Sequence, residues 1–144
     1  MPTVTDVMTR NVRTLASTDT VKQAAKAMAE LNVGVIPVCD GTKLLGMVTD
    51  RDIVLRAVAR GLDDKTILAD VMSAKVRTAL ETADLNEVLE EMAANQIRRL
   101  PVVDSAHRLV GIISLGDIAT KGKEGQDVGQ SLSEISAPRG AARS

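Results

Sequence analysis

Gly46-Met47-Val48-Thr49-Asp50-Arg51-Asp52-Ile53 and Gly111-Ile112-Ile113-Ser114-Leu115-Gly116-Asp117-Ile118 decide how this chain folds. Both follow Gly-x-x-Thr/Ser-x-x-Asp-Ile, and in both an apolar strand pattern runs into a helix start. The flanking residues recur in the same order. Asp6-Val7-Met8-Thr9 returns as Asp70-Val71-Met72-Ser73, and Val12-Arg13-Thr14 as Val76-Arg77-Thr78. Thr18 returns as Thr82, Met28-Ala29 as Met92-Ala93, Pro37-Val38 as Pro101-Val102, and Asp40 as Asp104. One residue is inserted in the turn after Asp104, and Leu44-x-Gly46 then matches Leu109-x-Gly111. An ordered internal repeat of this length marks a duplicated structural unit. Each copy is too small to bury an adequate core alone, so the two are expected to pack on one another.

Within a copy the pattern predicts β-α-β-β-α. A short extended stretch (Val12 to Leu15; Val76 to Leu80) precedes a helix. Val21, Ala24, Ala25 and Met28, and likewise Leu85, Val88, Leu89 and Met92, fall at i, i+3, i+4 and i+7, which gives each helix one apolar face. Thr20-x-x-Gln23 and Asp84-x-x-Glu87 read as capping boxes at the two helix starts. Val35 to Cys39 and Leu44 to Thr49 flank a tight turn, as do Leu100 to Val103 and Leu109 to Ser114, which predicts two hairpins. A closing helix runs from Asp50 to Arg60 before Gly61, and from Leu115 to about Lys121 before Gly122. The fold class is thus α/β, of the α+β kind, with residues 5–61 as the first repeat, 62–69 as linker and 70–121 as the second repeat. Residues 122–144 are expected to be a flexible tail, although Val128, Leu132 and Ile135 also have the spacing of a short amphipathic helix.

Composition narrows the function. Of 144 residues 44% are apolar and 26% charged, the balance of a globular protein, with a formal net charge of −1. Near-neutral charge argues against nucleic acid as a partner. Phe, Tyr and Trp are all missing, so no aromatic platform exists on which bases could stack. No apolar run approaches the roughly 20 residues that cross a bilayer. The start, Met1-Pro2-Thr3-Val4-Thr5-Asp6, has no secretory pattern, so the expected location is cytoplasmic. Cys39 has no internal partner. It reads as a small buried hydrophobe at a strand end, or else as a link between chains. Gly41 to Gly46 has the glycine spacing of a P-loop, but Met47-Val48 stands where Lys-Ser/Thr is required. The one histidine, His107, falls in a turn, and no base–nucleophile or metal-ligand set is present. The chain is therefore expected not to be an enzyme.

Thr49-x-x-Asp52 and Ser114-x-x-Asp117 have two readings. Each is a capping box that any helix start can carry. Each is also suited to a nucleotide: free amides at a strand-to-helix junction and an adjacent hydroxyl can take a phosphate, and a short carboxylate beside them can accept from the two hydroxyls of a ribose.

Taken together, Asp-Val-Met-Thr/Ser, the Pro-Val-x-Asp turn and Gly-x-x-Thr/Ser-x-x-Asp-Ile, repeated in order over about residues 5–121, resemble the CBS domain. The pair resembles the tandem or Bateman module, especially small stand-alone bacterial members, on Thr49 to Val54 and Gly61 to Asp63. The resemblance implies two repeats related by a pseudo-two-fold axis and two clefts, each able to take an adenine nucleotide: AMP, ADP or ATP, with NAD or S-adenosylmethionine as relatives. Carried onto this chain, one cleft uses Ile112, Ser114 and Asp117 with Thr18, Val33 and Gly34. The other uses Met47, Thr49, Arg51 and Asp52 with Thr82, Ile97 and Arg98. Arg51 aligns with Gly116, so the cleft with Asp52 is expected to favour more phosphate charge. Arg98 aligns with Gly34 and either alters adenine access, reaches a phosphate, or faces solvent. The resemblance further implies a regulatory module that forms a homodimer and acts through an unknown effector protein. The competing reading is a structural or dimerisation module with no nucleotide.

Overall fold

The computed structural model describes residues 2–121; the expected tail, with Val128, Leu132 and Ile135, lies outside the described residues. The described chain forms two compact units, residues 13–76 and residues 2–12 with 77–121.

In the unit of residues 13–76, β1 (Val35–Asp40) and β2 (Lys43–Thr49) form an antiparallel hairpin. Helix α2 (Val21–Leu31) precedes it, and α3 (Asp50–Ile53) follows and continues as a π-helical turn over Val54–Val58. Leu15 bridges in parallel to Val38 on the free edge of β1. Its N–H donates to the Pro37 carbonyl at 3.0 Å, and its carbonyl accepts from Cys39 at 2.8 Å. This single bridge asks nothing of the N–H that Pro37 lacks. Leu15, Val21, Ala24, Ala27, Met28, Ile36, Val38, Val48, Ile53, Ala57, Leu68 and Val71 form the core. Of the expected face of α2, Val21, Ala24 and Met28 are buried, while Ala25 is exposed and Ala27 is buried in its place.

The second unit repeats the plan. The short strand β3 (Ala79–Leu80) pairs in parallel with β4 (Arg99–Val103), and β4 pairs antiparallel with β5 (Leu109–Ser114). Helices α4 (Leu85–Asn95) and α5 (Leu115–Lys121) fill the positions of α2 and α3. Leu85, Val88, Leu89 and Met92 are all buried, as the spacing predicts. The register shift at Val38/Cys39 recurs at Val102/Val103. Both long helices end on a left-handed residue, Asn32 (φ 57°) and Gln96 (φ 54°). The next N–H reaches back to the helix, from Val33 to the Met28 carbonyl (3.1 Å) and from Ile97 to the Met92 carbonyl (3.0 Å), which closes the end without glycine. At the helix starts the copies differ. Thr20 accepts from the Gln23 N–H at 3.2 Å and Gln23 returns the bond. The expected box at Asp84 is not formed, since Asp84 makes no side-chain cap bond.

Each unit is completed by a segment from the neighbouring sequence repeat. Thr9 and Ile112 exchange two backbone bonds (2.8 and 3.0 Å), and Ser73 and Met47 exchange two (both 2.9 Å). Residues 2–12 thus fold with 77–121; within this segment, α1 (Val4–Val7) buries Val4 and Val7. A 3-10 turn, Leu68–Asp70, buries Leu68 and Val71 in the other unit. This exchange explains both motif glycines. A Cβ on Gly46 would collide with the Ser73 carbonyl oxygen, and one on Gly111 would lie 2.7 Å from the Thr9 carbonyl oxygen and 2.8 Å from Met8 Sδ. Only glycine lets the exchanged strand approach so closely.

Candidate functional site

The two strand-to-helix turns hold the candidate chemistry. In the unit of residues 13–76, extended backbone at Thr49 turns into α3, and the capping reading is realised. Thr49 Oγ accepts the Asp52 N–H at 2.9 Å, and Asp52 Oδ2 accepts the Thr49 N–H at 3.0 Å. The carboxylate has further neighbours. Ser73 Oγ donates toward Oδ1 at 3.3 Å and Oδ2 at 3.4 Å. Arg56 Nε stands 3.8 Å from Oδ1, and its Nη1 donates to the Met72 carbonyl at 3.1 Å. Asp52 is 8% exposed and is the one buried charged side chain among the described residues. Burying a carboxylate is costly unless it is bonded and paired, and here it is both.

The other turn follows the same plan with a looser enclosure. Ser114 Oγ accepts the Asp117 N–H at 3.0 Å, and Thr9 Oγ donates to Asp117 Oδ2 at 3.2 Å. Asp117 is half-buried. Ser73 and Thr9 are therefore equivalent hydroxyl donors, each brought in by its exchanged segment. They were not among the expected site residues, and neither was Arg56. The signal for the hydroxyls lies in the sequence, as the Thr/Ser that ends the repeated Asp-Val-Met motif.

The expectation of free amides at these junctions needs correction. The Asp50 N–H donates to the Gly34 carbonyl (2.9 Å), the Arg51 N–H to Asp50 Oδ1 (2.8 Å), and the Asp52 N–H to Thr49 Oγ. The Leu115 N–H donates to the Arg98 carbonyl at 3.0 Å. These amides already have acceptors within the protein. Among the expected residues of this turn, Arg51 offers an exposed guanidinium instead.

The remaining expected residues divide by unit. Thr18, Val33 and Gly34 lie with Met47, Thr49, Arg51 and Asp52; Thr82, Ile97 and Arg98 lie with Ile112, Ser114 and Asp117. Met47 is buried and bridges to Ser73, and the half-buried Ile112 bridges to Thr9. Thr18 and Thr82 are exposed ahead of α2 and α4, and Thr82 lines a shallow groove of about 380 Å³ with Thr78, Leu80, Glu87 and Glu91. Val33 and Gly34, and likewise Ile97 and Arg98, join the long helix to the hairpin. Among the described residues no group of three or more His, Cys, Asp or Glu is placed to hold a metal.

Burial pushes the Cys39 thiol up from its ordinary value, in keeping with its place in β1. Asp104, in the turn between β4 and β5, is held below the ordinary carboxylate value. The main cause is the Arg108 N–H on its Oδ1 (2.9 Å), helped by the Ala106 N–H (2.9 Å) and the Arg108 guanidinium (2.8 Å), while burial opposes the shift.

Known proteins resemble this chain in sequence and fold. The CBS-domain family model matches residues 4–58 and 68–124. The chain is 42% identical over 136 residues to the CBS domain-containing protein YhcV of Bacillus subtilis, covering 94% of this chain and 96% of that protein. It is 40% identical over 121 residues to hypoxic response protein 1 of Mycobacterium tuberculosis, covering 83% and 84%. Among solved structures, that of Hypoxic Response Protein I with two coordinated zinc ions superposes with a TM-score of 0.74 at 38% identity, over 83% of this chain and 98% of that one. CBSX2 in complex with AMP matches with a TM-score of 0.73 at 25% identity, over 83% and 95%. The CBS domain pair of MJ0100, in complex with 5′-methylthioadenosine and S-adenosyl-L-methionine, matches with a TM-score of 0.71 at 30% identity, over 83% and 94%. With two family matches that together span most of the chain, and with both repeats folded to one plan, the protein belongs to the CBS-domain family as a tandem pair.

Proposed function

We propose that this chain is a regulatory module that binds an adenine nucleotide at its carboxylate turns and acts through a partner protein, without catalysis of its own. The observation that carries the reading is the doubled turn: a carboxylate, Asp52 or Asp117, stands beside Thr49 or Ser114 and meets a second hydroxyl from Ser73 or Thr9. A carboxylate has two oxygens and can accept from both hydroxyls of a ribose diol. Solved CBS pairs that hold AMP, or 5′-methylthioadenosine with S-adenosylmethionine, support an adenosine-type ligand. The expected ligand is AMP, ADP or ATP, with S-adenosylmethionine or NAD as relatives. The grouping of Ile112, Ser114 and Asp117 with Thr18, Val33 and Gly34, and of Met47, Thr49, Arg51 and Asp52 with Thr82, Ile97 and Arg98, is part of this proposal and rests on the family resemblance. An unidentified effector protein and a homodimer rest on it as well, and a cytoplasmic location is proposed with them.

The chain has no aromatic residue, so the pure protein is nearly transparent at 260–280 nm. A peak near 260 nm after purification without added nucleotide, with adenine nucleotide identified by mass spectrometry of an acid extract, is the expected result. A flat spectrum followed by silent calorimetry against AMP, ATP, NAD and S-adenosylmethionine contradicts it.

One observation favours the second reading, a dimerisation module with no nucleotide. Val54, Leu55, Val58 and Leu62 expose 54%, 47%, 66% and 42% of their surface. An apolar cluster of this kind suits an interface. A dimer that is insensitive to every nucleotide tested would support it.

A further inference from the structure

The carboxylate that the proposed ribose would need is already spoken for. Asp52 Oδ2 holds the Thr49 N–H at 3.0 Å, which fixes the side chain through the capping box. The Ser73 hydroxyl then spans both oxygens at 3.3 and 3.4 Å. Those distances are long for O–H···O bonds and mark one donor shared between two acceptors. Ser73 is therefore not needed to orient Asp52; it occupies acceptor capacity. It cannot drift away, because its N–H and carbonyl are locked to Met47 at 2.9 Å each. A vicinal diol brings two further O–H donors, one for each oxygen. A carboxylate has about four lone-pair sites; the Thr49 N–H takes one on Oδ2 and a diol engaging both oxygens takes one more on each, so the Ser73 hydroxyl must give up its shared position for the single site left on Oδ1. At the other turn Thr9, its backbone likewise locked to Ile112, bonds one oxygen only, with Oγ 3.2 Å from Asp117 Oδ2.

We propose that Ser73 and Thr9 are affinity-setting latches: hydroxyls carried on the exchanged segments, which occupy acceptor sites of Asp52 and Asp117 in the empty protein and compete there with the ribose hydroxyls of a bound ribonucleotide. This inference rests on the nucleotide reading of the same carboxylates and adds the internal groups with which the ribose hydroxyls compete. The latch makes the empty state self-satisfied, so a ribonucleotide binds only as tightly as its hydroxyls outcompete an internal one.

The test is calorimetry on the full chain with two probes, AMP and 2′-deoxyadenosine monophosphate. Ser73→Ala removes the competitor and is expected to tighten AMP binding by about three- to ten-fold, the worth of one ordinary hydrogen bond. It should leave the deoxynucleotide, which lacks one of the two hydroxyls, little changed, so the ratio of the two affinities rises. Ser73→Thr keeps the hydroxyl and is expected to keep both affinities. Thr9→Ala, at an exposed residue, repeats the experiment at the other turn and guards against misfolding of the first variant. A purely structural role for these hydroxyls would not move the ribo/deoxy ratio. AMP binding by the wild type that is unchanged or weakened in both alanine variants overturns the latch while leaving the nucleotide reading intact. Failure of the wild type to bind either probe, or ATP or S-adenosylmethionine, overturns the nucleotide reading and the latch with it.

Discussion

Four residues carry predictions that need no ligand. Gly46 sits where a Cβ would strike the Ser73 carbonyl oxygen, so Gly46→Ala should cost about 2–3 kcal/mol by urea unfolding, at the upper end of what overpacking usually costs. Gly116 is the control. A Cβ there meets Ser114 Oγ at 3.7 Å, an ordinary contact, and Gly116→Ala inside a helix should gain up to about 1 kcal/mol. Cys39 is buried and its thiol is raised by that burial, so native protein should resist a thiol reagent at neutral pH and react fully once unfolded. Asp104 provides a pH signature. Its folded value lies below the unfolded one, so its stabilisation is present above the unfolded carboxylate range and is lost as pH falls through the depressed folded value. NMR titration should place its midpoint below that of an ordinary aspartate, and Asp104→Asn should flatten the acid side of the stability curve. The glycines of the motif were visible in the sequence, but the reason for them was not. Their neighbours, Ser73 and Thr9, come from the other repeat, and spacing within one copy says nothing about a strand arriving from elsewhere.

At the level of elements, the periodicity fixed most of what was seen. Leu85, Val88, Leu89 and Met92 are buried together because large apolar residues leave a helix only one face to hide. In α2 two of the four candidates, Ala24 and Ala25, were alanines, which carry little weight in such a pattern, and Ala27 was taken into the core in place of Ala25. The capping boxes divided for a related reason. Thr20 and Gln23 close the reciprocal pair, whereas Asp84 makes no cap bond with its side chain, so similar spacing led to different geometry. Thr20→Ala should therefore cost about 1 kcal/mol in thermal or urea unfolding, and Asp84→Ala distinctly less. The closing helix of the first repeat ran on as expected toward Gly61, but as α over Asp50–Ile53 and π over Val54–Val58, a change of hydrogen-bond register that side-chain spacing does not encode.

For the whole molecule, the repeat made the architecture legible and hid one feature of it. Two copies of β-α-β-β-α were readable from matched residues in order. The compact units, however, are residues 13–76 and residues 2–12 with 77–121, because the Asp-Val-Met-Thr/Ser segment of each copy completes the sheet of the other. Exchange of this kind ties the stability of each unit to a strand from the other repeat. The candidate site was legible in its carboxylates and hydroxyls, Asp52, Asp117, Thr49 and Ser114, and illegible in its amides, which already have acceptors within the protein. A ligand that binds only the folded state raises stability by mass action, so a nucleotide at 100 times its Kd should add about 2.7 kcal/mol and raise the melting temperature in a concentration-dependent way.

The most direct test of the nucleotide reading is calorimetric titration of AMP into wild type, Asp52→Asn, Asp117→Asn and the double variant, with folding checked by urea unfolding. Asparagine keeps the shape and one acceptor oxygen but removes the charge and the capacity to accept from both hydroxyls of a ribose. Binding by the wild type, weakened by about ten-fold or more at the altered turn in each single variant and abolished in the folded double variant, is the predicted result. AMP binding of equal strength in all four folded proteins would contradict it.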